Sequence, residues 1–195
     1  MTMPARKQTY TYADCLEWPE DVRAELIEGD VYMMTPPATK HQRISRELLL
    51  QIGSYLRGKR CEVFSAPFGV RLFEQENDTP SDVTTMVEPD LVVVCDPSKL
   101  DDHGCKGAPD MVVEILSPSN RRHDCVKKMH LYQRAGVKEY WLVDPAEEFI
   151  MVFLLAEDGV YSLRKTYTRE DAAKVNVLED CQIDLTLVFP QPEEP

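Results

Sequence analysis

Glu88-Pro89-Asp90-Leu91-Val92-Val93-Val94-Cys95 and Asp110-Met111-Val112-Val113-Glu114-Ile115-Leu116 are the two stretches on which the fold turns. Each is apolar on both faces. That predicts strands at Asp90–Cys95 and Met111–Leu116 in the middle of a sheet. The polar run Asp101-Asp102-His103-Gly104 lies between them. Pairing symmetric about position 102 sets Asp90 directly opposite Glu114. Directly opposed residues point to one face, with Cβ atoms about 4.5–5.5 Å apart. Two carboxylates that close, in apolar strands, repel each other and lose solvation. They need a cation, a proton or a basic partner. A hard divalent ion such as Mg²⁺ takes one or two carboxylates and retains waters. The plainer alternative is that both acids sit at strand ends in water. Asp90, after a proline, suits it; Glu114, with Val112-Val113 before it and Ile115-Leu116 after, resists it.

Downstream, the pattern predicts a helix from His123 to Ala135, ended by Gly136 in the C′ position. Advancing about 100° per residue puts Lys127 with His130 and Arg134 on the polar side. Lys128 falls between Tyr132 and Ala135, in the apolar arc that also holds Cys125 and Met129. Lys128 therefore points toward the sheet, where the carboxylate pair is its natural counter-charge. The competing reading is a stem that snorkels to the surface.

Upstream, a short helix is expected at Thr9–Trp18, closed by Pro19. A hairpin follows at Ala24–Ile27 and Val31–Met34 around Glu28-Gly29-Asp30. Thr39 is the expected N-cap of a long helix, with Gln42 completing a capping box. Ile44, Leu48, Ile52 and Tyr55 recur at helical spacing up to Gly58. Strands are expected at Glu62–Ser65, Gly69–Phe73, Glu139–Val143, Phe149–Leu155 and Val160–Tyr167, and around Val175–Ile183. The class is α/β (α+β), one mixed sheet flanked by helices. Residues 1–8 read as a loose tail, 9–190 as one domain, and 191–195 as a frayed acidic end.

The chain has 195 residues, 43% of them hydrophobic. That suffices for a core without metal or disulfide support. No apolar run approaches the roughly 20 residues of a membrane span, and Met1–Lys7 has no signal core behind it. The expectation is a soluble, cytoplasmic protein. Its six scattered cysteines, without a CxxC pair, are then expected to be reduced. The net charge of −12 argues against a general nucleic-acid coat protein. It leaves room for a local basic patch, or for acids gathered around a metal.

A Pro-Asp, a carboxylate on a paired strand and then a lysine resemble the PD-(D/E)XK, or restriction-endonuclease-like, superfamily. Within it the chain resembles the Uma-type endonucleases. The matching text is Glu25-Leu26-Ile27-Glu28-Gly29, Pro36 to His41, Glu88-Pro89-Asp90-Leu91-Val92-Val93 and Val113-Glu114-Ile115-Leu116-Ser117-Pro118-Ser119. It closes with Asp124, Lys128, Tyr132 and the run Ala135 to Pro145. The resemblance implies a restriction-endonuclease-like mixed sheet and metal-dependent hydrolysis of phosphodiesters, with DNA as substrate. It implies Mg²⁺ (or Mn²⁺) held by Asp90, Glu114 and the Ile115 carbonyl, and a homodimer. The superfamily's usual lysine position, two residues after the acid, is Leu116 here. Lys128 stands in its place, the residue that the helical arithmetic reaches independently. Glu25 matches the acid of an early motif and would help hold or orient the metal. Glu28 reads as a solvated turn residue. His41 either reaches the site or is a packed or capping histidine. Arg121, Arg122 and Lys127, with Lys40 and Arg43, offer positive charge at the site mouth, or simply a solvated helix face.

Other signals are weaker than they look. Asp110 begins a second Pro-Asp pair, but its Cα lies about 13 Å from that of Glu114 along one strand, too far to share one ion. Asp144 before Pro145 reads as a turn residue. His103-Gly104-Cys105 and His123-Asp124-Cys125 lie on the order of 20–30 Å apart at strand rise, which opposes a zinc site. A metal-dependent nuclease is the leading expectation. A nuclease-fold scaffold with little activity, which the acidic charge favours, is the second. A hydrolase of a smaller phosphate ester is the third.

Overall fold

The computed structural model describes residues 9–19, 22–117 and 123–189, with the side chains of residues 123–125 excepted. The expectations for both termini and for Arg121 and Arg122 lie outside the described residues. In chain order the elements are α1 (Tyr12–Leu16), β1 (Ala24–Ile27), β2 (Asp30–Met33), α2 (Thr39–Leu56), β3 (Glu62–Ser65), β4 (Val70–Arg71), β5 (Leu91–Val94), β6 (Leu100–Asp101), β7 (Gly104–Lys106) and β8 (Met111–Ile115). After a π-helical turn at His123–Lys128 come α3 (Met129–Ala135), β9 (Glu139–Asp144), β10 (Phe149–Leu155), β11 (Tyr161–Thr168), β12 (Ala172–Lys174), β13 (Gln182–Asp184) and α4 (Leu185–Val188).

Six strands form the central sheet in the order β11-β10-β9-β8-β5-β3. β8 and β9 are parallel, and the other neighbours are antiparallel. This is the expected mixed sheet flanked by helices. Alternate residues of the central strands go to opposite faces, as the pleat requires. Leu91, Val93, Met111, Val113, Trp141 and Val143 pack with Ile44, Leu48, Ile52 and Leu56 of α2. Each of these four, once buried, is worth about 1.5–3 kcal/mol relative to exposure, so packing holds α2 in place. Val92, Val94, Val112, Tyr140 and Leu142 face the other way, onto Leu131 and Tyr132 of α3 and the small sheet β4-β7-β6.

β5 and β8 pair as Leu91↔Val113, Val92↔Val112 and Val93↔Met111. That register is symmetric about position 102, as expected. The connection is nevertheless no simple loop. It carries β6 and β7, which pair Leu100↔Cys105 and Asp101↔Gly104. Gly104 has φ +126, and a Cβ there would meet the Gly69 carbonyl oxygen at 2.1 Å. Only glycine lets these two backbones approach.

The β1–β2 hairpin turns through Glu28 and Gly29, both at positive φ, as a tight two-residue connection requires. β1 is tied to the segment before β5 by a bridge between Leu26 and Met86.

Three local expectations need correction. Thr39 is the first residue of α2, not its cap: Ala38 occupies the N-cap without a side-chain cap bond. Its carbonyl already accepts from the Gln42 N–H, so the helix starts one residue early and the capping box does not form. Cys61 and Cys95, expected to be reduced, are joined by a disulfide. The β3–β5 register pairs Glu62 with Val94, which sets positions 61 and 95 opposite each other just beyond it. The stretch around 175–183 is not one strand: residues 175–181 connect β12 to β13, and Gln182 and Ile183 begin β13.

Candidate active site

Asp90 ends the segment leading into β5, and Glu114 is the fourth residue of β8. Both lie on the sheet face that meets α3. The Ile115 N–H donates to Asp90 Oδ2 at 2.7 Å, which ties the end of one strand to the other. His41, in the first turn of α2, brings Nε2 to 3.3 Å from the same oxygen.

Lys128 closes the π-helical turn just before α3 and is buried. Its Nζ donates to Glu114 Oε1 at 2.9 Å and to Glu25 Oε1 at 2.8 Å. Glu25 comes from β1, and the same oxygen accepts the Glu88 N–H at 3.0 Å. That contact follows from the Leu26–Met86 bridge, which lays β1 beside residues 86–88. One turn after Lys128, Tyr132 shares its helix face. Its hydroxyl donates to Glu114 Oε1 at 2.5 Å. Burial, and then the negative charges of Glu114 and Glu25, hold the Tyr132 phenol well above its ordinary range. It therefore stays a neutral donor.

Glu25, Glu114 and Lys128 are each only 4% exposed, and they are reached through an open cavity of about 420 Å³. Its walls come from the end of β2 and the turn before α2, including Met33, Pro36 and Pro37, and from Ile115 and Ser117. Four carboxylates line it (Glu25, Glu88, Asp90 and Glu114), against two fixed cations, Arg23 and Lys128. Arg23 is already paired with Glu88 at 2.6 Å. Among the described residues the carboxylates of the cavity thus outnumber its cations, in a place where charge is costly.

Among the described residues, no three His, Cys, Asp or Glu side chains gather closely enough to hold a metal ion by themselves. The site offers two opposed carboxylates with the Ile115 backbone beside them. This all-oxygen, negatively charged donor set fits a hard divalent cation, which needs one or two carboxylates and keeps its own waters.

The remaining expected residues fall elsewhere. Asp110 accepts from Lys138 at 2.6 Å and from the Cys95 N–H at 2.7 Å, so it serves the sheet. Asp144 caps a turn by accepting from the Ala146 and Glu147 N–H groups. Glu28 pairs in solvent with Arg134, and Lys40 with Glu148. In the sequence Tyr132 defines a helix face and matches the family's text, without an assigned role. Its spacing of four from a core-facing lysine was the available signal that it also reaches Glu114.

A family model described as "Uma2: Putative restriction endonuclease" matches residues 12–187. The chain belongs to that family. An uncharacterized protein of Synechocystis sp. is 29% identical over 147 residues, covering 74% of this chain and 73% of its own. The fold is similar to that of a crystal structure from Anabaena variabilis described as "a putative nuclease belonging to DUF820". The TM-score is 0.69 at 20% identity, covering 92% of this chain and 97% of the other.

Proposed function

We propose that this Uma2-family protein is a divalent-metal-dependent endonuclease that hydrolyses phosphodiester bonds in DNA. The observation that supports it most is that, among the described residues, carboxylates outnumber cations around a buried lysine that lines an open cavity. A purely structural cluster has no use for that surplus, and a cation with a phosphate ester would answer it.

In this reading Asp90, Glu114 and the Ile115 carbonyl hold Mg²⁺ or Mn²⁺. The ion supplies charge neutralisation at the phosphate and a lowered pKa for a nucleophilic water. Lys128 orients the water or offsets charge developing on the phosphoryl oxygens. Glu25 shares the Lys128 ammonium with Glu114 and so fixes where the charge sits. Tyr132 locks the Glu114 carboxylate from the opposite side to the cavity's solvent. His41 steadies Asp90. Water adds to phosphorus, the phosphorus–oxygen ester bond breaks, and the departing oxygen takes up a proton. No covalent enzyme intermediate is required.

The net charge of −12 favours a second reading, a nuclease-fold scaffold with little hydrolytic activity, because long-range repulsion slows DNA approach. A cleavage assay at low salt separates the two. It uses supercoiled, linear and single-stranded DNA with Mn²⁺, Mg²⁺ or chelator. Metal-dependent cleavage that disappears in both Glu114→Ala and Lys128→Ala is the expected result. Cleavage that survives in both would refute the site. Metal binding without cleavage of any substrate would favour the scaffold.

A further inference from the structure

A second groove of about 260 Å³ lies beside the first. Ile27, Val126 and Leu131 give it an apolar floor, Lys127, His130 and Arg134 give it a basic side, and Glu28 lines it as well. The two adjoin at one contact. Tyr32 lines the acid-bearing cavity, and the Lys127 ammonium touches its hydroxyl and lies 4.1 Å from its ring centroid.

We propose that the two grooves together take one unpaired nucleic-acid strand in preference to a duplex, with the flanking backbone crossing Lys127, His130 and Arg134. This rests on the nuclease reading above and names the form of its substrate.

Three observations carry it. First, the groups at the base of the cavity are almost fully buried, so a phosphate must enter to reach them. A cavity of about 420 Å³ is the size of a small-ligand site. It admits a nucleotide of one strand, whereas a duplex keeps two backbones apart across grooves about 6 and 12 Å wide. Second, Met33, Pro36 and Pro37 on the cavity wall offer an apolar surface to a base, and such contact is available only to a base out of its stack. Third, the three basic residues are spaced by three and four, so they share one helix face. Among the described residues, Arg23, the cation that lines the cavity besides Lys128, is paired with the largely buried Glu88. Arg134 pairs with Glu28, but both are more than half exposed, and such a pair exchanges partners at little cost. In a chain of net charge −12, this short stripe can neutralise a strand's few phosphates but not both backbones of a duplex.

The test is fluorescence anisotropy in Ca²⁺, with a labelled 15-nucleotide strand and with its duplex, over a range of salt. The strand is expected to bind at least about 10-fold more tightly. Lys127→Gln/Arg134→Gln is expected to lower the log–log salt slope for the strand by about 1.4, since each lost contact to a single strand removes about 0.7. Lys127→Arg is expected to keep the slope, and thermal melting of each variant checks that it folds. Equal or tighter binding of the duplex, or an unchanged slope in the double variant, would overturn the proposal. If that happens while the wild type still cuts duplex with Mn²⁺, the nuclease reading stands and only the strand preference falls. Neither binding nor cleavage of either form would overturn both.

Discussion

Two buried ionic clusters sit on the same side of the central sheet, and they are built differently. Around Arg71, 2% exposed, the charges balance. Its guanidinium donates to Glu74 and, at 2.6 Å, to Asp101. Lys106 lies 3.7 Å from each of those carboxylates. Around Lys128, among the described residues, carboxylates outnumber cations: Glu25 and Glu114 share its ammonium, and Asp90, on the same cavity, meets His41 instead. Counting His41 as protonated still leaves a negative surplus. In the first cluster two cations answer two carboxylates. The second opens onto a cavity, where in the proposed reading a divalent cation would offset its carboxylates. Surplus charge, more than burial, separates a site from a strut.

Arg71→Met tests the strut. It strands Glu74 and Asp101 beside each other and is expected to cost about 3–5 kcal/mol in urea unfolding, as breaking a buried pair does. Divalent cations should recover none of it. Stability restored by Mn²⁺ would erase the distinction between the clusters.

Lys128→Met tests the site. Glu25 and Glu114 lose their shared cation, and the expected cost is about 2–4 kcal/mol. Here Mn²⁺ should restore much of the loss, because the carboxylates then face a cation again. A loss indifferent to metal would make this cluster a strut as well.

Tyr132→Phe sharpens the comparison, since it removes one hydrogen bond to Glu114 and no charge. Loss of such a supporting partner typically costs about 10–100-fold in metal affinity or activity. Mn²⁺ affinity and cleavage rate should fall together, while stability changes by about 1 kcal/mol.

The smallest effect concerns acid. Burial alone would raise the Asp101 carboxyl. The hydrogen bonds from Arg71 and the His103 N–H, with the Arg71 and Lys106 charges, outweigh it and hold the group below the usual carboxylate range. A depressed folded-state pKa contributes stability above the unfolded value of about 3.9, and that stability is lost as pH falls through the folded one. Asp101→Asn should flatten the acid limb of stability below about pH 4, by no more than about 1 kcal/mol for a partly exposed carboxylate. Unfolding free energies at pH 3 and pH 6 check it.

Much of the site's placement could be read from local pattern. The β5–β8 register followed from one midpoint, because period-two alternation tolerates no one-residue slip between buried strands. Lys128 followed from helical spacing, because the downstream residues that defined the face, Tyr132 and Ala135, lie in regular α-helix even though the turn before it is π-helical. What local pattern does not encode depends on contacts between distant parts of the chain. Glu25, which only the family resemblance names, meets Lys128 across 103 positions, and the placing of β1 beside residues 86–88 brings them together. The Cys61–Cys95 bridge depends on how β3 docks on β5, and no spacing rule encodes that. The Arg71 cluster joins the expected strand at Gly69–Phe73 to Asp101 and Lys106 of β6 and β7, in a connection whose tip reads as a polar loop.

Calorimetric titration of Mn²⁺ into the wild type and into Glu114→Gln tests the central claim most directly. That claim is that the surplus charge around Lys128 is there to hold a divalent cation. The account predicts binding by the wild type and its loss, or a weakening of at least about 100-fold, in Glu114→Gln. Folding of the variant is checked by its melting curve. Mn²⁺ binding of equal strength in both proteins would contradict the account.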